Sequence, residues 1–171
     1  MFSDRALARI SSVLPDVAVK SYGRYQSALY KLSGGRLAGR YGRGPVLRLT
    51  TTGRRSGTAR STALLYGQDG PRLVLVGSNR GSNQHPAWAL NLLANPEAEV
   101  QIGRKRRRVL AREVTGEERT RLWPLMSEIY EGFDVYNALT ERDLKVFVLE
   151  SQRLATKPIG SDTQSGTVST P

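Results

Sequence analysis

The 171-residue sequence contains no cysteine and a single histidine, His85. The first absence removes disulfides, thiolate nucleophiles and cysteine-based zinc or iron–sulfur sites, and it suits a reducing cytosol. The second removes a His-rich metal site, so no metal centre is expected, and it leaves a Ser-His-Asp triad one residue to be built around. His85 stands in Asn-Gln-His-Pro just ahead of an expected helix, where the plain reading is a surface or capping residue. No apolar run reaches the roughly 18 residues of a membrane span, and the N-terminal stretch lacks a signal-peptide core, so a cytoplasmic protein is expected.

Acid is missing from a long interval. No Asp or Glu lies between Asp16 and Asp69, whereas Lys20, Arg24, Lys31, Arg36, Arg40, Arg43, Arg48, Arg54, Arg55 and Arg60 all do, in a chain of net charge +11. An anionic partner is expected, and nucleic acid, an anionic membrane surface and an acidic small molecule or cofactor compete for the part. A second basic run at residues 104–108 sits at a tight turn and reads as a hairpin tip that keeps sheet edges soluble.

The most informative stretch is residues 47–66, LRLTTTGRRSGTARSTALLY. Residues 46–52 and 59–66 have strand composition, and Gly53 and Gly57 mark the turn between them. The result is a hairpin whose tip carries Arg54, Arg55, Ser56 and Arg60. Glycine lets backbone N–H groups approach a ligand, and arginine offers a planar fork of donors for phosphate or carboxylate oxygens. A phosphate-binding P-loop is excluded, because the glycine spacing is short, its lysine is absent and a strand follows where a helix is required.

Elsewhere the chain predicts two amphipathic helices over residues 3–33, broken at Pro15, and a Gly/Arg-rich linker over 34–45. The basic, tyrosine-bearing face of those helices also suits a membrane interface. Further strands are expected at 72–78, 98–102, 107–114 and 144–150, with Gly67-Gln68-Asp69-Gly70 as a hairpin turn. Helices are expected from Pro86 to Asn95, over 116–130 behind a Thr115–Glu118 capping box with a kink at Pro124, and over 135–142. The organisation is an N-terminal segment 1–45, a barrel domain 46–150 and a disordered Ser/Thr/Gly-rich tail 151–171. The fold class is mainly β with flanking helices (α+β), a six-stranded antiparallel barrel, closed or split.

Glu97, Glu99, Glu113, Glu117 and Glu118 fall at turns, strand ends or a helix start, so no carboxylate pair stands out for acid–base work. A chain this poor in reactive groups needs a cofactor to carry a reaction. Ser78 at a strand end and Trp88 on the short helix are candidates to flank a ring system. Tyr130, Phe133 and Tyr136 form a spaced aromatic set suited to an apolar lid.

Residues 50–57 with Arg60, then Ser78, His85-Pro-Ala-Trp88, Asn91, Asn95-Pro96, residues 114–118, and Tyr130, Phe133 and Tyr136 together resemble the deazaflavin-dependent nitroreductase family. The resemblance runs from about residue 46 to 150. It implies a split β-barrel like those of the flavin reductases and pyridoxamine-phosphate oxidases, and hydride transfer from reduced coenzyme F-420 to a quinone or another flat electron-poor acceptor. Carried over by residue, it implies that Arg54, Arg55, Ser56 and Arg60 hold the anionic tail of the cofactor, with Ser61, Thr62, Ala63, Leu64 and Leu65 beside it. Val76, Gly77, Ser78 and Asn79 would border the deazaflavin, and Ala87, Trp88 and Asn91 would close the site. Tyr130, Phe133 and Tyr136 would line the acceptor side, with Ser78, Tyr130 and Tyr136 as catalytic hydroxyls. Family members often carry lysine in place of Asn79, so that one cationic contact passes to Arg80 or is lost, and tyrosine in place of Phe133, whose missing hydroxyl favours quinones over nitro compounds here.

Two other readings compete. A split barrel could bind FMN instead, since fold alone does not identify a cofactor. A basic nucleic-acid-binding barrel would explain the charge, yet residues 46–63 carry no aromatic platform, so no nucleic acid is expected as partner.

Overall fold

The computed structural model describes residues 44–152 continuously, together with Arg5, Ala6, Arg9, Tyr30, Leu32, Ser33 and residues 39–41. Most of the expected N-terminal helices and linker, and the tail beyond 152, lie outside the described residues. Among the described residues no helix is long and apolar enough to cross a membrane.

Among the described residues the chain forms one antiparallel sheet curled into a half-barrel, flanked by helices at 87–94, 116–129 and 132–138. The strands are β1 (Arg40–Tyr41), β2 (Gly44–Thr52), β3 (Ala59–Leu65), β4 (Gly67–Asp69), β5 (Arg72–Gly77), β6 (Glu97–Ile102), β7 (Lys105–Val114) and β8 (Lys145–Ser151). They run in the order β1-β2-β6-β7-β8-β5-β4, with β3 also paired to β2. Against the expected six strands, the described residues form eight. The additions are short: β1 pairs Arg40 and Tyr41 with Pro45 and Gly44, and β4 pairs residues 67–69 with 72–74. Gly67 to Asp69 thus belong to a strand, and the turn is Gly70-Pro71, where Gly70 supplies the positive φ of 59° that a two-residue hairpin turn demands.

The sheet buries both faces in its second half. Leu73, Leu75, Phe147 and Leu149 join Leu47, Leu49, Val100, Val109 and Ala111 on one face, under α1 (Ala87–Ala94), which adds Trp88, Ala89 and Leu92. Val74, Val76, Val146, Val148 and Val114 face the other way, against Leu122 and Met126 of α2 (Gly116–Ile129) and Phe133 and Tyr136 of α3 (Gly132–Ala138). Covered on both sides, β5 and β8 read as unbroken apolar runs. Each leucine so buried contributes about 1.5–3 kcal/mol.

Two helical expectations need correction. The capping box does not form: Thr115 makes no side-chain cap bond at the start of α2, and the Glu118 carboxylate is drawn instead to Arg112 (2.7 and 3.1 Å) and Arg72 (3.2 Å) on the neighbouring strands. The last helix spans 132–138 and not 135–142, since Phe133 and Tyr136, one turn apart, are its buried anchors. α2 runs unbroken through Pro124.

Tyr30 is 1% exposed against Val46, and the Gly103 N–H donates to its hydroxyl at 2.9 Å. Arg5 pairs with Glu131 at 3.0 Å. Together with the Tyr41 ring against Tyr130, these contacts fasten the segment before the barrel to it.

Candidate active site

The hairpin tip is set by β2–β3 register, with Thr52 opposite Ala59. Its loop closes through Gly53 N–H to the Thr58 carbonyl at 2.8 Å and Gly57 N–H to the Gly53 carbonyl at 2.7 Å, and Gly57 turns with φ 66°. Arg54, Arg55, Ser56 and Arg60 are exposed there, and none of the ion pairs among the described residues involves these arginines. The tip is not free to swing. Asn91 of α1, 4% exposed, accepts the Arg54 backbone N–H at 3.1 Å through Oδ1 and donates through Nδ2 to Thr51 Oγ1 at 3.1 Å. Both of its side-chain polar groups are thus satisfied inside the protein.

Strand alternation divides the neighbouring residues. Arg60, Thr62 and Leu64 lie opposite Thr51, Leu49 and Leu47, on the face that carries α1. Ser61, Ala63 and Leu65 point the other way: Ser61 Oγ meets Arg48 Nη2 at 2.7 Å and Thr50 Oγ1 at 2.9 Å, while Ala63 and Leu65 pack with Tyr30 and Val46. These three can present only backbone to a ligand on the arginine face. Among the described residues β3 is paired along one edge, by β2, which leaves backbone donors and acceptors on its other edge.

α1 links the tip to a second wall. A Cβ on Gly77 would lie 3.5 Å from Pro86 Cγ and 3.6 Å from Ala89 Cβ, so the end of β5 touches the start of the helix. Ala87 is exposed, whereas Trp88 is 8% exposed with its ring 5.6 Å from Phe147, inside the core. From Gly77 to Arg54 the wall follows a helix of about 12 Å.

Beyond β5, Ser78 leads into a turn in which Asn79 (φ 43°), Arg80 (φ 57°) and Gly81 (φ 77°) are all left-handed. For the two non-glycine residues that conformation costs about 1–3 kcal/mol each and persists only where the surroundings impose it. Asn79 Nδ2 donates to the Gln84 carbonyl at 2.9 Å. The stronger tie comes from Arg142, a residue the sequence analysis did not single out: its guanidinium donates to the carbonyls of Gly77, Ser78 and Ser82 and to His85 Nδ1. Burial, and then the Arg142 and Lys145 charges, push His85 below the usual histidine pKa, so its neutral form is favoured with Nδ1 as acceptor.

Tyr130, Phe133 and Tyr136 are brought together, at 3%, 5% and 5% exposure. The Tyr130 ring stands edge-on to Phe133 at 5.4 Å and to Tyr41 at 5.8 Å, and its hydroxyl is 3.3 Å from that of Tyr136. The cluster includes Val76, and the Tyr136 carbonyl would lie 3.1 Å from a Cβ on Gly81. The aromatics thus back the Ser78–Gly81 turn from the face opposite α1. A separate cleft of about 270 Å3, lined by Thr50, Thr52, Ala59, Glu97, Glu99 and Arg108, carries carboxylates and suits an anion poorly.

Arg54, Arg55 and Arg60 sit on one fixed loop with no ion pair among the described residues, Arg54 Nη1 also reaching Asn91 Oδ1 at 3.5 Å, and such a donor set suits an anionic ligand. Comparison with known proteins identifies the family. The family profile described as F420H(2)-dependent quinone reductase matches residues 21–151. An F420H(2)-dependent quinone reductase of Mycobacterium tuberculosis H37Rv is 35% identical over 130 residues, covering 74% of this chain and 87% of the relative. Among solved structures, an F420-H2 dependent reductase (FDR-A) shares 37% identity at a TM-score of 0.58, covering 62% of this chain and 94% of that one. Another, described as a domain-swapped dimer, shares 34% identity at a TM-score of 0.60 over 74% and 96%. The chain belongs to the F420H(2)-dependent quinone reductase family and is an oxidoreductase that works with reduced coenzyme F-420.

Proposed function

We propose that the surface from the arginine hairpin along α1 to the end of β5 is where this chain holds coenzyme F-420 while a quinone is reduced. When bound, the reduced deazaflavin supplies the hydride. Arg54, Arg55 and Arg60 would hold the phosphate and carboxylates of the tail, with Ser56 and the open edge of β3 as further donors. Val76, Gly77 and Ala87 would border the ring, with Trp88 and Asn91 fixing the helix behind it. Ser78, Tyr130 and Tyr136 would hydrogen-bond the acceptor oxygen as negative charge develops, or return a proton to it. Phe133 has no hydroxyl to offer, which favours a quinone over a nitro group. We read the half-barrel as a split barrel of the flavin-reductase type.

The observation that carries this reading is the acid-free arginine tip tied to α1 through Asn91. The test is to titrate the purified chain with F-420, FMN and single-stranded DNA separately and to assay quinone reduction. F-420 should bind and support turnover; FMN binding as tight, with FMN-dependent turnover, would replace this account with the flavin one.

The basic N-terminal segment is proposed to dock on anionic lipid, beside a quinone dissolved in the membrane. A chain starting just before Tyr30 should fold and bind cofactor but co-sediment less with phosphatidylglycerol vesicles. Unchanged co-sedimentation removes the proposal.

A further inference from the structure

We infer that Arg142 is a positioning residue: it fixes the loop 77–85, which borders the proposed cofactor ring, and locks that loop to the segment bearing Tyr136. The inference rests on the site assignment given above and extends it to a residue outside the ligand's reach.

One guanidinium satisfies acceptors at both ends of the loop. Nε donates to the Ser82 carbonyl at 2.8 Å and Nη2 to the Ser78 carbonyl at 2.8 Å, both Nη atoms reach the Gly77 carbonyl at 3.3 Å, and Nη1 meets His85 Nδ1 at 3.0 Å. Only a planar fork can serve so many acceptors, because a lysine offers one point charge and three donors from a single nitrogen. The loop needs this help. Asn79 and Arg80 sit left-handed in succession, a conformation that non-glycine residues keep only where the surroundings impose it.

The same stretch of chain grips the loop at two further places. Thr140 Oγ1 donates to Asn83 Oδ1 at 2.9 Å, and Gly81 lies so close to Tyr136 and Leu139 that a Cβ there would be 3.0 Å from Leu139 Cβ. Ser78 on one wall and Tyr136 on the other are therefore set relative to each other by residues 136–142. A change at Arg142 should disturb the cofactor wall without touching the arginine hairpin, which is held by Asn91.

The experiment compares the full chain with Arg142→Met and Arg142→Lys. Amide hydrogen exchange over residues 78–85, F-420 affinity by fluorescence, and kcat and KM for a soluble naphthoquinone are measured on each. Arg142→Met should lose exchange protection in 78–85 while the barrel strands keep theirs, should bind F-420 about tenfold or more weakly, and should show a lower quinone kcat/KM, because Ser78 and Tyr136 lose their relative placement. Arg142→Lys should fall between the two. If Arg142→Met does not fold, the lysine variant decides on the same readouts. Parental protection at 78–85, or parental F-420 affinity, in the folded variant overturns the inference. Should the parent itself fail to bind F-420, the site assignment falls while the exchange result still decides whether Arg142 holds the loop.

Discussion

Asn91 Oδ1 accepts the backbone N–H of Arg54 at 3.1 Å across 37 residues of chain and Arg54 Nη1 at 3.5 Å, which anchors the cationic tip to α1. Asn91→Ala leaves that N–H and the Thr51 hydroxyl without partners, at a cost of about 1–3 kcal/mol. Because the tip then loses its fixed position, F-420 affinity should drop about tenfold in the same variant, by fluorescence titration. A loss of stability by urea melt with parental affinity would show that the anchor serves folding alone.

Arg55 and Arg60 should behave in the opposite way. They are exposed and make no ion pair among the described residues, so alanine at either should change stability by less than about 0.5 kcal/mol. A charge-assisted contact is worth about 1.5–3 kcal/mol, which predicts F-420 binding weaker by roughly ten- to a hundredfold. High salt should narrow the difference.

Acid sensitivity has a defined sign. Hydrogen bonds from Arg121 and Arg72 hold the Asp69 carboxyl at about 2, against an ordinary 3.8. A carboxylate with a lower pKa folded than unfolded stabilises the protein above its unfolded value, and that contribution is lost as pH falls from 3.8 through about 2. Asp69→Asn should melt below the parent near neutral pH, and the two melting temperatures should converge by about pH 2. A constant gap across that window would mean that the ion network of Asp69, Arg72 and Arg121 adds nothing to the fold.

Gly132 is where the aromatic cluster tolerates no change. A Cβ there would lie 2.2 Å from Tyr130 Cε1 and 2.6 Å from its hydroxyl oxygen. Gly132→Ala should therefore displace the Tyr130 ring and destabilise the chain by about 1–3 kcal/mol in a thermal melt. If Tyr130 serves the acceptor, quinone turnover falls while F-420 affinity holds.

What could be read from the sequence followed from local signals. Alternating β-branched residues around Gly53 and Gly57 gave the hairpin and its arginines, and Pro86 with Asn95-Pro96 bounded α1 to within a residue. The strand count failed where pairing is two or three residues long, too short for any periodicity. The capping box failed because Arg72 and Arg112, distant in sequence, compete for Glu118. Residues 61–65 read as one wall until cross-strand register sorted them onto two faces. Arg142 was hidden for a different reason. Most of its partners are backbone carbonyls more than fifty positions upstream, and a carbonyl leaves no trace in residue identity.

The most direct test of the account is a fluorescence titration of F-420 into the parent and into a chain with Arg54, Arg55 and Arg60 all changed to alanine. The parent should saturate, and the triple variant should fold normally yet bind at least about a hundredfold more weakly. A folded triple variant with the parent's affinity would contradict the central claim, leaving the arginine hairpin as a solvated turn and placing the cofactor elsewhere on the barrel.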